Sequence, residues 1–363
     1  MTHLSRRSVV VSTLALAACS RGLSAHGAAP EVFICPPCGC SQDGTEFDTP
    51  GPCPDCDMTL MPKNEHQLGV EPRALKPRAG SFFMAGGVGK EDQLINVHYY
   101  LPDDFSSDSK ILLIIPGAGR NSSDYRNAWL GFARKNNVLI AALGYPEEAY
   151  DLAAYHMGGV VKAFRATNID RSTPGVIRAR DEDIELETNP DSGEWLFNDF
   201  DRVFEFLKLA TGSYTETYDI FGHSAGGQIL HRMTLFQPSS KADRIVAANA
   251  GWYTLPDLTQ DLPTGLLGSP VREEDLKRSF SSKLTILLGE LDNSDAAGGT
   301  LLHTPKVDEQ GLGRLSRGRT FYRIGKEQAA ALGMPFDWTL TTVPNVGHDY
   351  RAMSLAAAQI VYD

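Results

Sequence analysis

One feature of the sequence constrains the fold of this chain most. It is a short apolar segment followed, after a glycine, by a helix-compatible segment. Residues 218–221 predict a buried strand and residues 228–235 predict a helix. Between them lies Gly222-His223-Ser224-Ala225-Gly226, a G-x-S-x-G motif. So sharp a turn from strand to helix strains its middle residue, and small neighbours are needed to avoid collisions. The motif predicts a serine hydroxyl above a sheet, at a helix N-terminus whose N–H groups can receive an oxyanion.

Composition and charge narrow the class of protein. The chain has 363 residues, of which 42% are hydrophobic and 22% are charged, and this is an ordinary globular balance. The length suits one large α/β domain with a small appendage. The net charge of −11 argues against a nucleic-acid partner, because phosphate would be repelled. Beyond the N-terminus we find no apolar run of membrane-spanning length.

Residues 1–19 are predicted to be an export signal. Ser5-Arg6-Arg7 leads into an apolar stretch over residues 9–18 that is too short to anchor in a bilayer. The paired arginines resemble a twin-arginine signal, and Leu16-Ala17-Ala18-Cys19 resembles a bacterial lipobox. That resemblance implies a periplasmic or outer-membrane lipoprotein, attached to the membrane only through lipid on Cys19. A soluble secretory peptide, cut near residues 25–27, is the alternative.

Two C-x-x-C motifs follow a predicted tether over residues 20–32. Cys35 and Cys38 form the first pair, and Cys53 and Cys56 form the second. Each motif places two thiolates on one tight turn, and two such turns make a tetrahedral metal site. Because a segment this small has no core of its own, metal binding would supply its folding energy.

Disulfides are the alternative to metal, because exported proteins fold in an oxidising compartment. If Cys19 carries lipid, five cysteines remain. Five cysteines cannot pair completely, whereas four ligands and one spare thiol can be accommodated. Cys40 stays open as a ligand at this point.

Residues 33–62 resemble the small heavy-metal-binding domain found beside bacterial copper and zinc efflux components. The run from Cys53 to Pro62, C-P-D-C-D-M-T-L-M-P, follows the second half of that family's pattern. In the first half, Cys38 stands where the family has histidine. That change favours thiolate-only coordination of Zn²⁺ or Cu(I). Residues 63–80 are polar, contain two prolines and are predicted to be a linker.

Residues 81–363 alternate between strand and helix patterns, and this predicts an α/β domain with a mostly parallel central sheet. An excursion over residues 146–195 breaks the alternation and is interpreted either as a cover over the site or as a solvated surface loop. The predicted strands cover 94–100, 111–115, 138–143, 218–221, 244–250, 284–288 and 338–343, and the predicted helices cover 200–209, 228–235 and 350–361.

A serine hydroxyl needs a base, and the base needs a group that orients it. His348 follows the last predicted strand and precedes the last predicted helix, so it is the candidate base. Glu290 and Asp292 both follow the strand 284–288, and the G-x-x-D spacing favours Asp292 as the acid. The predicted catalytic residues are therefore Ser224, Asp292 and His348.

The chain order Ser224, Asp292, His348 resembles that of the α/β-hydrolase superfamily over residues 81–363. The resemblance implies an oxyanion hole built from the N–H groups of Ala225 and Ala118, the latter in the turn Pro116-Gly117-Ala118.

Within the superfamily, the P-G-x-G-R-N turn followed by Asp124-Tyr125 is similar to secreted polyester depolymerases and to feruloyl or acetylxylan esterases. Gly251-Trp252-Tyr253 resembles an aromatic platform beside the serine in that group. The resemblance implies substrate contacts from Trp252, Tyr125 and Arg120.

We therefore predict an exported serine esterase that acts on small or polymeric esters. The predicted chemistry uses no cofactor, and the zinc or copper would lie in the N-terminal ribbon, residues 33–62. Two alternatives remain. One is a serine peptidase, and the other is a metal-binding lipoprotein whose hydrolase domain serves as a scaffold.

Overall fold

The computed structural model describes residues 31–36, 40–63, 66–71, 73–294 and 298–362, with residues 66–70 described by their backbone. The predicted export signal, the lipid site Cys19 and the predicted metal ligand Cys38 lie outside these residues and stay predictions. Among the helices of the described part, none has the length and apolar character needed to cross a bilayer.

Sixteen strands and seven α-helices are found in the described residues. In chain order the strands are β1 (Phe33–Ile34), β2 (Glu46–Phe47), β3 (Met61–Pro62), β4 (His66–Val70), β5 (Arg78–Ala85), β6 (Leu94–Leu101), β7 (Ile111–Ile115), β8 (Leu139–Gly144), β9 (Val161–Ala166), β10 (Val176–Arg178), β11 (Ile184–Thr188), β12 (Tyr218–His223), β13 (Ala242–Ala248), β14 (Lys283–Gly289), β15 (Leu301–His303) and β16 (Thr339–Val343). The helices are α1 (Ser122–Asn136), α2 (Phe197–Thr211), α3 (Ala225–Phe236), α4 (Glu273–Phe280), α5 (Pro305–Asp308), α6 (Arg314–Ala331) and α7 (Tyr350–Tyr362).

Nine of these strands form one sheet in the order β16-β14-β13-β12-β7-β8-β6-β5-β4. The strands from β16 to β8 run parallel, whereas β6 pairs antiparallel with both β8 and β5. All five residues of β7 are buried, because helices cover both faces of the sheet. This arrangement confirms the predicted α/β fold with a mostly parallel central sheet.

The two faces of the sheet carry separate hydrophobic cores. On one face Trp129 of α1 and Met353 of α7 share a core with Leu112 of β7. On the other face α2, α3 and α6 contribute to a larger core that includes Leu113, the next residue of the same strand. Alternate residues of a strand point to opposite faces, so a continuous apolar strand supplies both cores.

The strand pattern was the most predictable part of the fold. The predicted strand 111–115 coincides with β7, and the predicted strand 138–143 lies one residue before β8. The predicted helix 200–209 lies inside α2 and is extended at both ends. Apolar runs mark the buried middle of an element, whereas its ends depend on contacts that a run does not show.

The N-terminal ribbon is a three-stranded antiparallel sheet in the order β2-β1-β3. Its small core contains Phe33, Cys35, Cys53 and Leu60. The predicted linker over residues 63–80 differs from what the structure shows, because β4 and the start of β5 lie inside it. Strand β4 pairs in parallel with β5 at the edge of the large sheet, through Ser81 and Phe83 of β5. An edge strand needs a partner on one side only, and a polar segment with glycine and proline nearby does not reveal that partner.

The excursion over residues 146–195 has structure of its own. A single π-helical turn covers Leu152–His156, and β9 and β11 form an antiparallel pair. Strand β10 also lies in the excursion and pairs in parallel with β15. Strand β15 comes after Asp292 in the chain. Side chains from this excursion reach the cavity described below, so it forms a roof rather than a loop facing only solvent.

We predict that helix α3 tolerates no added methyl group where it crosses the sheet. A Cβ atom on Gly227 would lie 2.5 Å from the carbonyl oxygen of Ala248 in β13, so Gly227→Ala should lower the free energy of unfolding by about 1–3 kcal/mol. Gly131 in α1 is the matched control, because a Cβ there meets nothing within 4 Å. Gly131→Ala should stabilise the protein by up to about 1 kcal/mol. Equal effects of the two variants in urea unfolding would contradict the close approach of α3.

Candidate active site

Ser224 lies at the turn between β12 and α3, at φ 60° and ψ −116°. A residue with a side chain is strained at this positive φ, and the surrounding structure must hold it there. The two flanking positions require glycine, because a Cβ atom at either one would collide with neighbouring backbone. A Cβ atom on Gly226 would lie 2.1 Å from the carbonyl oxygen of Ile115, and one on Gly222 would lie 2.5 Å from the backbone of Gly226. The local sequence therefore presents the Ser224 side chain at the carboxyl edge of the sheet.

The structure brings the three predicted catalytic side chains into one hydrogen-bonded chain. His348 Nε2 lies 3.0 Å from Ser224 Oγ, and His348 Nδ1 lies 2.7 Å from Asp292 Oδ2. The Asp292 carboxylate accepts a hydrogen bond from Nδ1–H, so Nε2 is left to accept the serine proton. Glu290, the competing acid, is exposed and accepts a hydrogen bond from the backbone N–H of Asn345.

Burial sets the basicity of His348. Desolvation lowers the pKa of the imidazole, the nearby Arg314 charge lowers it further, and the hydrogen bond and charge of Asp292 raise it in part. The net direction is downward from the ordinary value. His348 is therefore neutral at neutral pH and able to accept a proton.

Arg314 is a neighbour of this site that the sequence did not reveal. Its Nη1 donates to Asp292 Oδ1 at 3.0 Å, and both side chains are 1% exposed. Arg314 is the first residue of α6, an element for which no prediction was made. An arginine far along the chain from the acid carries no local signal of such a contact.

The two residues predicted as oxyanion donors line the same cavity as Ser224. Ala118 and Ala225 both line the cavity into which Ser224 projects. Ala225 is the first residue of α3, where backbone N–H groups have no partner within the helix. The turn that contains Ala118 is fixed from behind, because the Tyr155 hydroxyl donates to the Pro116 carbonyl at 2.8 Å.

The cavity above Ser224 has a volume of about 540 Å³. Its roof comes from the excursion, with Leu152, Phe164, Ile169 and Ile177 among its apolar side chains. Among the described residues that line it there is no aspartate or glutamate, and Arg171 is the one arginine. The excursion therefore makes the wall apolar and leaves it with a cationic side chain at one point.

Two of the three predicted substrate contacts line the cavity. Trp252 lines it, and the Arg232 guanidinium lies 4.2 Å from the Trp252 ring. Tyr125 also lines it, and its hydroxyl lies 3.1 Å from His223 Nδ1. The structure places Arg120 elsewhere: its guanidinium lies 3.5 Å from the Tyr155 ring and donates to the carbonyl of Tyr150. Arg120 is buried and connects its turn to the carbonyls of Tyr145 and Tyr150, and it is not among the described residues that line this cavity.

His156 lies on the cavity wall between two arginines. Burial lowers its pKa to about 3, and the charges of Arg120 and Arg232 contribute in the same direction. Burial lowers the pKa of Arg232 to about 9, and this side chain donates to the Thr254 hydroxyl and to the carbonyls of His156 and Gln228. On this side of the cavity, the positive charges of Arg120 and Arg232 therefore lie close to the neutral imidazole of His156.

Four thiols meet in the N-terminal ribbon. They belong to Cys35, Cys40, Cys53 and Cys56, and all their sulfur atoms lie within 4.8 Å of one another. The Sγ atom of Cys35 lies 3.6 Å from those of Cys40 and Cys56, and Cys40 Sγ lies 4.0 Å from Cys53 Sγ. Thiolates arranged tetrahedrally around Zn²⁺ are about 3.8 Å apart, since the Zn–S bond is about 2.3 Å. Cys40, left open as a ligand from the sequence, therefore lies with Cys35, Cys53 and Cys56 in a cluster that suits a tetrahedral metal ion, whereas the predicted ligand Cys38 lies outside the described residues.

Solved structures of other proteins resemble this chain. A poly(aspartic acid) hydrolase-1 from Sphingomonas sp. KT-1 is 36% identical, with a TM-score of 0.69, over 80% of this chain and 100% of that one. A poly(3-hydroxybutyrate) depolymerase from Bordetella parapertussis is 30% identical, with a TM-score of 0.68, over 79% of this chain and 90% of that one. No protein-family model matches the chain, and no curated protein matches it either.

We predict that His156 makes the protein less stable in mild acid. Its pKa is about 3 in the folded state and about 6.5 in the unfolded state, so only the unfolded chain takes up this proton between those values. Stability is therefore lost as the pH falls below about 6.5. Between pH 7 and pH 5, wild type should lose about 2 kcal/mol more than His156→Gln in urea unfolding. Parallel curves for the two proteins would mean that His156 is protonated in the fold.

Proposed function

The chain belongs to the α/β-hydrolase family, together with the poly(aspartic acid) hydrolase and the poly(3-hydroxybutyrate) depolymerase above, and from this premise we propose that it hydrolyses carboxylic esters through an acyl-enzyme on Ser224. The hydrogen-bonded chain from Ser224 through His348 to Asp292, at the floor of an apolar cavity, carries this proposal.

The steps use residues of the chain alone. His348 Nε2 takes the proton of Ser224 Oγ–H while Oγ attacks the ester carbonyl carbon. The N–H groups of Ala118 and Ala225 donate to the tetrahedral oxyanion. His348 then gives its proton to the leaving alkoxide as the acyl–oxygen bond breaks. A water molecule repeats the sequence on the acyl-enzyme, with His348 again as base, and releases the carboxylic acid.

The cavity wall supports an ester with an apolar acyl group. Leu152, Phe164 and Ile177 from the roof and Trp252 opposite them supply apolar contact area around the serine. Apolar burial of this kind contributes roughly 25 cal/mol per Å². A hydroxyalkanoate polyester, or a feruloyl or acetyl ester, meets these requirements.

Hydrolysis of amide bonds in an acidic polyamide is a second candidate. The absence of acidic side chains among the described lining residues favours it, as does the cation of Arg171 in the wall. The relative named as a poly(aspartic acid) hydrolase supports the same substrate class. Like the serine peptidase considered from sequence, an enzyme of this kind would cleave amide bonds.

The ribbon is proposed to bind Zn²⁺ or Cu(I) through Cys35, Cys40, Cys53 and Cys56. Their sulfur spacing supports this, and a set of four thiolates favours soft or borderline metal ions. Burial is the largest single influence on the pKa of Cys53 and raises it, but the hydrogen bonds from Cys56, Asp55 and Cys35 together lower the pKa below its ordinary value, and this favours the thiolate that a metal requires. The ion would stabilise the small ribbon fold.

Export and lipid attachment at Cys19 complete the proposal. They rest on the arginine pair, the short apolar stretch and the lipobox-like sequence within residues 1–19. Lipid at Cys19 would leave the hydrolase domain outside the cytoplasm, on the side where polymeric esters are met.

We predict that Ser224→Ala abolishes ester hydrolysis with little change in fold. Removal of the nucleophile should lower kcat by about 10⁴-fold or more on p-nitrophenyl esters of rising acyl length, because the other groups act through it. Wild type should react with a fluorophosphonate probe, and Ser224→Ala should not. Poly(3-hydroxybutyrate) and poly(aspartic acid), assayed in parallel, separate the two substrate classes.

An unlabelled wild type, or equal labelling of both proteins, would contradict the nucleophile. It would favour the scaffold interpretation, in which the chain is a metal-binding lipoprotein.

We predict that Cys40→Ser loses bound metal and that Cys38→Ser keeps it, because Cys40 supplies the fourth sulfur of the cluster. Purified full chains would be analysed for zinc and copper by mass spectrometry, with about one ion per chain expected in wild type. The opposite result would assign the fourth ligand to Cys38. Metal-free chains with oxidised thiols would establish disulfides instead.

A further inference from the structure

The carboxylate of Asp292, the acid of the proposed triad, accepts hydrogen bonds from both a histidine and an arginine. We propose that Arg314 is a positioning residue, which aims the Asp292 carboxylate at His348 and sets the pH range in which His348 acts as a base. This inference rests on the proposed function, because it assigns a role within the same catalytic chain.

The two oxygens of Asp292 have separate partners. Arg314 Nη1 donates to Oδ1 at 3.0 Å, and His348 Nδ1–H donates to Oδ2 at 2.7 Å. The backbone N–H of Leu315 also donates to the carbonyl of Asp292 at 2.9 Å. The first turn of α6 therefore holds both the side chain and the main chain of the acid. With Oδ1 engaged, the carboxylate has one orientation, in which Oδ2 faces the imidazole.

Arg314 also reaches the cavity wall beside the base. Its Nη2 donates to the carbonyl of Thr300 at 3.0 Å, and Thr300 and Gly299 both line the cavity. A Cβ atom on Gly299 would lie 2.9 Å from His348 Nε2 and 3.2 Å from Arg314 Nη2. One guanidinium thus connects the acid with the wall segment that packs against the reacting nitrogen of His348.

The electrostatic role follows from the groups that face His348. The charged ones are Asp292 and Arg314, which are joined to it in the hydrogen-bonded chain, and Arg171 on the wall of the same cavity. The titratable ones are His223, whose ring lies 4.6 Å away, and Tyr125, His156 and Tyr350, which line the same cavity. Burial, His348 and Arg314 hold the pKa of His223 well below its usual range, so it is neutral. Arg314 is therefore the cation that opposes the pull of Asp292 on the imidazolium. A buried carboxylate beside the base would otherwise hold the proton on His348 to higher pH.

Arg317, one turn further along α6, provides a matched control. Its side chain is 0% exposed, and it pairs with Asp308 at 2.9 Å and donates to the carbonyl of Gly251 at 2.8 Å. Loss of Arg317 removes a comparable buried charge from the same helix. A purely structural effect of burial would therefore be similar in the two positions.

The experiment measures kcat and kcat/KM for p-nitrophenyl butyrate from pH 5 to pH 9. The proteins are wild type, Arg314→Gln, Arg314→Lys and Arg317→Gln, with Ser224→Ala as the blank. Arg314→Gln should raise the pH of half-maximal kcat/KM by about one unit, because the imidazolium loses a repelling charge. It should also lower kcat about tenfold, with a smaller change in KM.

The conservative and control variants give the remaining expectations. Arg314→Lys keeps the charge, so its midpoint should stay at the wild-type pH, and its kcat should recover in part. Arg317→Gln should keep the wild-type midpoint. A wild-type midpoint in folded Arg314→Gln, or an equal shift in Arg317→Gln, would overturn the proposal.

If Arg314→Gln does not fold, Arg314→Lys decides. A lysine cannot reproduce the planar fork that holds both Asp292 and Thr300, so kcat should fall at an unchanged midpoint. Full wild-type kcat in Arg314→Lys would overturn the positioning role. An inactive wild type would instead overturn the proposed function, which keeps the two failures distinct.

Discussion

The strained backbone of Ser224 is the constraint on which the rest of the structure depends. Holding a residue with a side chain at φ 60° and ψ −116° costs about 1–3 kcal/mol, and the fold must supply this from elsewhere. It does so by packing α3 against β7 and β13 so closely that Gly226 and Gly227 have no room for a Cβ atom. The central strands are buried on both faces, and their burial provides the stability that offsets the strain. The strained turn that presents the half-buried Ser224 is thus maintained by the most deeply buried part of the sheet.

Sequence reasoning reached the residues that carry their own local signal. Ser224 is marked by flanking glycines between a strand and a helix. Asp292 follows an apolar strand, and His348 follows a strand rich in β-branched residues, so both strands could be predicted from the sequence. The carboxyl ends of neighbouring parallel strands meet at one edge of the sheet, so placing the strands was enough to bring the three residues together. The same logic gave the α/β fold.

The residues that sequence reasoning missed act through distant contacts. Arg314 begins a helix whose weak apolar pattern gives no strand or site signal, and only the folded chain brings it to Asp292. The resemblance predicts a substrate contact from Arg120, yet the Arg120 backbone has a positive φ of 55° and its side chain is buried against Tyr155. Cys40 stayed open as a ligand because the spacing of thiols along a loop does not fix which of them reach the cluster, and the structure places its sulfur beside those of Cys35, Cys53 and Cys56.

The pairing of β10 with β15 gives the roof of the cavity a second attachment. The excursion that carries β10 is attached to the domain at both of its ends. Through the β10–β15 pair it is also attached to the segment between Asp292 and α6. The roof therefore cannot lift as a flap hinged at one end, because lifting would break backbone hydrogen bonds to β15. A displacement of the roof would therefore also strain the segment that connects Asp292 with α6.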